Sequence, residues 1–476
     1  GDVVEGLVKV AGENKGTDIG EKAMYGAFSA AREKRDFQKQ LEIGQRFVTE
    51  YPKSQYVTPV LLALGRNAAE AARFEDAAGY YEQIGQKLGA DAQALDGWIS
   101  GAKLRMALGD WAGAVKDLER AADVAAGRKA EVLSLLAKTW LEAKQPQKAR
   151  AAAEQALKLN KHASEAGAVL AEVQATSGSK DAPDALIQTL TTIAQGPNGQ
   201  TEDTAKGIWY LAEILHKQFR ALSADAVDQK VAMLQQLEGL YTQSSSMGSA
   251  EYAVASLWKL GLAYQHLADT VEASPLPEGL SSAEVEQFRA AVKEQVAPVK
   301  ERADSAFQAC LSRAESLDVF TPAVLGCRSK TDNVKSPIAA AQPKPVAPTI
   351  EDLKRKAAQA QDAGSMEALG VAYLEARQLF QAQLTLGRAT ELEDSRASAW
   401  NGLGLAMLLS GDAMGARAAY GRALDSDPTF EKARANLAAL RCRFGDVEGA
   451  RRELAVLKGE AAMAGPEVDP EWRACK

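Results

Sequence analysis

The sequence predicts an all-α fold, an α-solenoid of about ten helix pairs in two stacks. Three observations carry that expectation. Hydrophobic residues make up 46% of the chain while aromatics make up only 6%, so the core is built from Ala and Leu rather than rings, as close-packed helices require. A pattern of small and large residues recurs with a fixed period toward the C-terminal end, and a looser version fills the N-terminal half. At 476 residues the chain would otherwise read as about three ordinary domains; a repeat of this kind replaces that reading with one small unit used many times.

The earliest element is a pair beginning near residue 21 and ending at Tyr51-Pro52. Leu64-Gly65 with Ala77 and Tyr81, Trp98 with Ala102, Gly109, Ala114 and Ala121, and Leu136-Ala137 with Trp140, Ala149 and Ala156 place units near 58, 95 and 130. Weaker units begin near 164, around Trp209-Leu211-Ala212, and at Leu257-Leu260-Gly261-Tyr264. After Tyr264 the stretch Ser274-Pro275-Leu276-Pro277-Glu278-Gly279 interrupts the pattern, and a long helix from about Ser282 to Leu317 takes the place of a standard second helix, making 254–328 an elaborated unit. Residues 329–350 hold four prolines and little to bury, so they read as an extended, semi-rigid linker. The expected organisation is therefore an N-terminal solenoid over 1–328, the linker over 329–350, and a C-terminal solenoid over 351–476 with a capping tail.

The C-terminal units are the most regular. Trp400-Asn401-Gly402-Leu403-Gly404, Gly411-Asp412, Ala416, Tyr420, Ala423 and Pro428 are matched one period earlier by Leu369-Gly370, Tyr373, Ala382 and Ala389, and one period later by Leu437-Ala438, Gly445-Asp446, Ala450 and Leu457. Three units follow, 363–396, 397–430 and 431–464. Small residues sit where the two helices of a pair approach, large ones fill the gaps, and Pro428 helps to stop the second helix. This pattern resembles the tetratricopeptide repeat (TPR) nearly position for position, with Met407 in place of the small-helix aromatic. The resemblance implies a right-handed superhelix whose inner face binds a peptide or a partner's helix. Phe47-Val48-Thr49-Glu50-Tyr51-Pro52, Leu64-Gly65 and Phe74-Glu75-Asp76-Ala77 resemble repeats of bacterial outer-membrane assembly and periplasmic coordination proteins. Ala273 to Leu280, Ala303 to Cys310 and Val319-Phe320-Thr321-Pro322 resemble TPR proteins of the deltaproteobacterial cell envelope, among them components of the myxobacterial gliding machinery. That likeness implies a periplasmic location, with outer-membrane association or the cytoplasm as the alternatives.

In the TPR pattern the inward positions of the C-terminal units are Gly364, Glu367, Val371 and Leu374; Ser398, Asn401, Leu405 and Leu408; and Lys432, Ala435, Ala439 and Cys442. The partner groove expected from them is Val371, Leu374, Asn401, Leu405 and Leu408. TPR proteins that clamp a chaperone's terminal carboxylates carry Lys and Asn at such places; Glu367, Val371 and Leu405 stand here instead, so a carboxylate clamp is not expected. The apolar strip either suits an amphipathic helix or extended apolar segment, or fills the inner wall.

The four cysteines all fall in the last third of the chain and group along it as two pairs, Cys310 with Cys327 and Cys442 with Cys475. Two disulfides of an oxidising compartment and four reduced, partly buried thiols are both compatible with that spacing. If Cys442 is bonded to Cys475, the tail folds back, brings Trp472 to the last unit and caps it.

The net charge of −7 has the wrong sign for a nucleic-acid binder. No apolar run is long enough to span a bilayer, and the start Gly1-Asp2-Val3-Val4-Glu5 lacks the basic and apolar regions of a signal peptide, as the mature form of an exported protein also would. His162, His216 and His266 show no ligand spacing, and neither a phosphate-binding Gly-rich loop nor a Gly-x-Ser-x-Gly elbow is present. No catalytic residue, metal or cofactor is expected. The expected function is a non-enzymatic protein-interaction scaffold of the bacterial envelope, in a gliding or trafficking complex. The alternatives are an outer-membrane assembly or secretin-pilot factor and an accessory regulator of cell-wall enzymes.

Overall fold

A computed structural model describes residues 2–89, 91–339, 341–459 and 463–475. Among these residues there are 23 α-helices and no strand, and the helices pair with their neighbours along the chain to form an α-solenoid. The chain divides into two compact units. One comprises Gly1–Arg128, Ala340–Asn436 and Leu457–Asp469, the other Lys129–Ala339, Leu437–Val456 and Pro470–Lys476.

The sequence period reappears as helix starts. Helices Ala363–Glu375, Ala397–Leu409 and Glu431–Arg443 open one period apart, and Val57–Glu70, Ala92–Ala107, Lys129–Glu142 and Ser164–Thr176 open close to the expected 58, 95, 130 and 164. A backbone signature marks the same period. The residue two places before each second helix is left-handed: Arg35, Ala72, Gly109 and Lys144, then Arg377, Gly411 and Gly445, with φ between 53° and 99°. Where that residue is glycine it costs nothing, and the aspartate after it caps the next helix. Asp110 accepts from the Gly113 amide at 2.9 Å, Asp412 from Gly415 at 2.7 Å and Asp446 from Gly449 at 2.9 Å. The Gly-Asp dipeptides in the sequence are thus the turn and the cap of one hairpin.

Size matching sets how closely the paired helices approach. A Cβ on Gly404 would lie 2.6 Å from the Tyr420 ring, and one on Gly65 would lie 2.9 Å from Tyr81. Tyr420 is fully buried, and Ala382, Ala389, Ala416 and Ala423 have no exposed surface. These are the small and large positions of the repeat, and the contact they make is the core.

One element lies outside the sequence reading: Val3–Glu13 pairs with Asp18–Glu33. The unit near 164 has a short second helix, Asp184–Ala194, between Ser164–Thr176 and Glu202–Ala221. The elaborated segment takes the expected form. Helix Ala250–Glu272 ends before the Pro-containing stretch, and Ser282–Ser316 runs 35 residues from a capping box at Ser281 and Glu284. Its buried residues, Val296, Ala303, Ala306, Phe307, Cys310 and Ala314, lie toward its C-terminal end. Gly261 makes room for Phe307, which a Cβ would approach at 2.7 Å.

No described residue from 330 to 349 is helical, and the segment is held at several points. In one unit Trp258 Nε1 donates to the Thr331 carbonyl at 3.1 Å and Arg443 to the Pro337 carbonyl at 3.0 Å; in the other, the Lys344 amide donates to the Ala376 carbonyl at 2.8 Å.

Candidate functional site

The expected groove residues lie on the first helices of the C-terminal repeats. Leu374 and Leu408 have no exposed surface, Leu405 is 1% exposed, Asn401 is fully buried, and Val371 is half-buried. Glu367, another inward position, is paired with Arg396. The leucines are covered by the chain itself, so the groove's chemistry lies in its polar residues.

Those residues hold the chain's own tail. The side-chain amides of Asn401 and Asn436 both donate to the Glu467 carbonyl, at 3.1 and 2.8 Å. Asn436 also donates to Asn401 Oδ1 at 2.7 Å, and its own Oδ1 accepts from the Asp469 amide at 2.7 Å. Lys432 Nζ lies 2.7 Å from the Glu467 carboxylate. Asn401, Asn436 and Asp469 have no exposed surface, and Val468 is 8% exposed. Two asparagines thus hold a carbonyl and the amide two residues on, main-chain groups of the turn at Pro466-Glu467, while a lysine pairs with the Glu467 side chain. Asn401 and Lys432 stood at expected inward positions; Asn436 did not, being one place beyond Ala435 in the register. Its signal in the sequence is a lone amide within the otherwise apolar run Ala435 to Leu440.

The structure pairs Cys310 with Cys327 and Cys442 with Cys475, with Cα separations of 6.4 and 5.9 Å. The first joins the long helix Ser282–Ser316 to helix Pro322–Ser329. The second draws Cys475 against Ala438 and Ala450, and Trp472, in a short 3₁₀ turn over Pro470–Arg473, is 3% exposed. The tail folds back onto the last repeat as its proposed bond requires.

A second polar cluster, which sequence reasoning did not assemble, lies in helices Glu202–Ala221, Val227–Ser245 and Ala250–Glu272. Lys259 Nζ is 2.9 Å from Glu213 and 2.6 Å from Asp332, and Arg220 is 2.9 Å from Asp332. Tyr241 donates to Glu213 at 2.6 Å, and its hydroxyl lies 2.9 Å from His216 Nδ1. Because the tyrosine proton goes to the carboxylate, Nδ1 is the donor to the hydroxyl and Nε2 is the bare acceptor. Burial, reinforced by the charges of Lys259 and Arg220, pushes the His216 imidazole down to about 3. Burial also opposes the Lys259 charge, but Glu213 and Asp332 outweigh it and its pKa stands above the ordinary value. Close by in the fold, buried Lys230 donates to the Phe219 carbonyl at 3.0 Å and lies 3.1 Å from His266 Nε2. His216, Lys259 and Asp332 border a cavity of about 530 Å³. The arrangement holds a salt-bridged core and a neutral histidine. No single residue type announces it, because its members come from four segments.

Among the described residues no group of His, Cys, Asp and Glu has the geometry to hold a metal ion, and no helix is long and apolar enough to cross a membrane.

No protein-family model matches the sequence, and no curated protein matches it. Among solved structures, the chain is similar to that of Naa15/Naa10 bound to HypK-THB, at 13% identity and a TM-score of 0.32, over 94% of this chain and 69% of that one. It is also similar to the TPR domain of P58(IPK), at 10% identity and a TM-score of 0.21, over 95% of this chain and 98% of that one. At such scores the superpositions are loose, and the architecture described above rests on this chain's own helices.

Proposed function

We propose that this chain is a non-enzymatic protein-interaction scaffold of the bacterial cell envelope, working in the periplasm within a gliding or trafficking complex. The observation that carries the binding role is the polar face of the C-terminal repeats, where Asn401 and Asn436 already hold a main-chain carbonyl at Glu467. A stack of helix pairs presents such surfaces repeatedly, so its mechanism is to hold partners in place, and a second bound partner gains from the raised local concentration. The two cysteine pairs support an oxidising compartment, and the envelope-type segments around Phe47 and Ala273 support the bacterial envelope. The expected domain division at the Pro-rich segment 329–350 belongs to the same proposal.

Cross-linking in cells followed by mass spectrometry tests the role. Envelope proteins are expected among the products, and recovery of cytosolic chaperones alone would overturn the assignment. Alkylation of the non-reduced protein tests the compartment separately. No modified thiol is expected, whereas four modified thiols in protein made in an oxidising compartment would sink it.

A further inference from the structure

The Pro-rich segment ahead of helix Ile350–Ala360 is shaped by covalent geometry before any packing. From Gln342 to Pro348 the order is Gln-Pro-Lys-Pro-Val-Ala-Pro. The rings of Pro343, Pro345 and Pro348 fix φ at about −65°, and Gln342, Lys344 and Ala347, each the residue before a proline, are pushed out of the helical region toward extended backbone. Only Val346 is left unconstrained, and residues 341–347 form no helix, turn or bend. The conformation open to such a run is polyproline II, with about three residues per turn. Pro345 and Pro348 then share one ridge, and Pro343 and Val346 the next. The Ile350 amide donates to the Ala347 carbonyl at 3.0 Å, closing a turn at Pro348 and Thr349 where the strand ends and the helix begins.

The strand is fastened through its main chain and bare at its side chains. Lys344 donates its amide to the Ala376 carbonyl at 2.8 Å, and its carbonyl accepts from Gln378 Nε2 at 3.4 Å, both just before helix Leu379–Leu392. Every residue from Gln342 to Thr349 is exposed, Val346 by 42%. Between Asp332 and Glu351 the chain carries Lys335 and Lys344 and no acid. A plain spacer needs neither the rings nor the anchor at Lys344. Both remove in advance the conformational freedom that a binding partner would otherwise have to take away.

We propose that residues 342–349 are a docking strand, presented as a polyproline II ridge to a partner protein whose groove is lined by aromatic side chains and flanked by carboxylates. This inference rests on the scaffold reading and deepens it by naming a partner chemistry. Aromatic rings suit the flat pyrrolidine faces of Pro345 and Pro348, one turn apart on the ridge. The carboxylates meet Lys344, in a stretch that offers positive charge alone. At this surface the chain is the ligand and its partner supplies the groove.

The test places a photoreactive residue at Val346 of the full chain, in the cells that make it. A cross-link is expected, with the linked site on the partner lying among aromatic and acidic side chains. Pro345→Ala/Pro348→Ala is expected to abolish the cross-link and Lys344→Glu to weaken it. The blocked peptide Gln-Pro-Lys-Pro-Val-Ala-Pro-Thr, added in excess to opened cells before illumination, is expected to compete, while the same peptide with alanine at each proline does not. That competition needs no further change to the chain, so it decides the matter should a substitution disturb the fold. A cross-link that survives the double proline substitution or the competing peptide, a linked site without aromatic residues, or no cross-link at Val346 overturns the proposal. Partners captured only at the helix surfaces would leave the scaffold reading standing and remove this one, whereas no partner at any surface would remove both.

Discussion

The helices between Ala363 and Arg443 are short, alternating between 13 and 14 residues, and the buried polar side chains there are the neutral Thr385, Thr390, Asn401 and Asn436. Between Glu202 and Ser316 the helices run 20, 19, 23 and 35 residues, and the buried polar set includes Lys230, Lys259 and His216. The short pairs are registered by side-chain size and closed by a left-handed turn. The long helices have outgrown that turn, and ion pairs between helices fix their relative placement. Neutral amides can exchange one backbone partner for another at small cost, whereas a buried charge is tied to the partner that neutralises it. The difference separates a region suited to binding from one suited to bracing.

The contrast can be broken most severely at Lys259. Lys259→Met leaves Glu213 facing Tyr241 and the apolar interior without its cation, and a loss of about 3–5 kcal/mol is expected in urea unfolding. A loss below about 1 kcal/mol would mean that the charges brace nothing. In the regular repeats the sensitive variable is volume. Gly404→Val drives methyl groups into Tyr420 and should cost about 1–3 kcal/mol, while Gly421→Ala, with nothing within 4 Å of the added Cβ, should gain about 1 kcal/mol. If the two glycines respond alike, size registration is not what holds the pair.

Acid separates the regions next. His216 is neutral in the fold, with its pKa near 3, while in the unfolded chain it titrates near 6.5. Its contribution is therefore intact above about 6.5 and lost as the pH falls from there toward 3, because only the unfolded state takes up the proton in that window. Between pH 7 and pH 5 the parent should lose about 1–2 kcal/mol that a His216→Gln variant does not lose, as read from chemical denaturation at each pH. The smallest effect belongs to the turns. Lys144 is left-handed with φ 59° and exposed, so Lys144→Gly should stabilise by about 0.5–1 kcal/mol in thermal melts. A loss instead would show that Lys144 makes a contact worth more than the strain.

What was legible in the sequence is what the chain determines locally. The small and large positions of the repeat, the Gly-Asp turns and the interruption at Ser274 to Gly279 placed most helices to within a few residues, and the long helix was read from Ser282 to Leu317, one residue past its end at Ser316. Val3–Glu13 escaped because it lies ahead of the first recognisable repeat. The groove was legible in part. Asn401 and Lys432 fall at pattern positions, but the partner that gives them meaning, Glu467, is 66 and 35 residues away along the chain. Nothing in a local period reports a contact of that span. The cluster around Lys259 was hidden for the same reason, since Asp332 lies 73 residues on.

The separation between Asn401 and Glu467 also orders events in time. The chain is made from its amino end, so the repeat walls are complete before the segment that covers them. Until residue 467 is in place, the two asparagines lack the carbonyl they hold in the finished fold, and the last repeat is the part of the stack that closes only when the chain is whole.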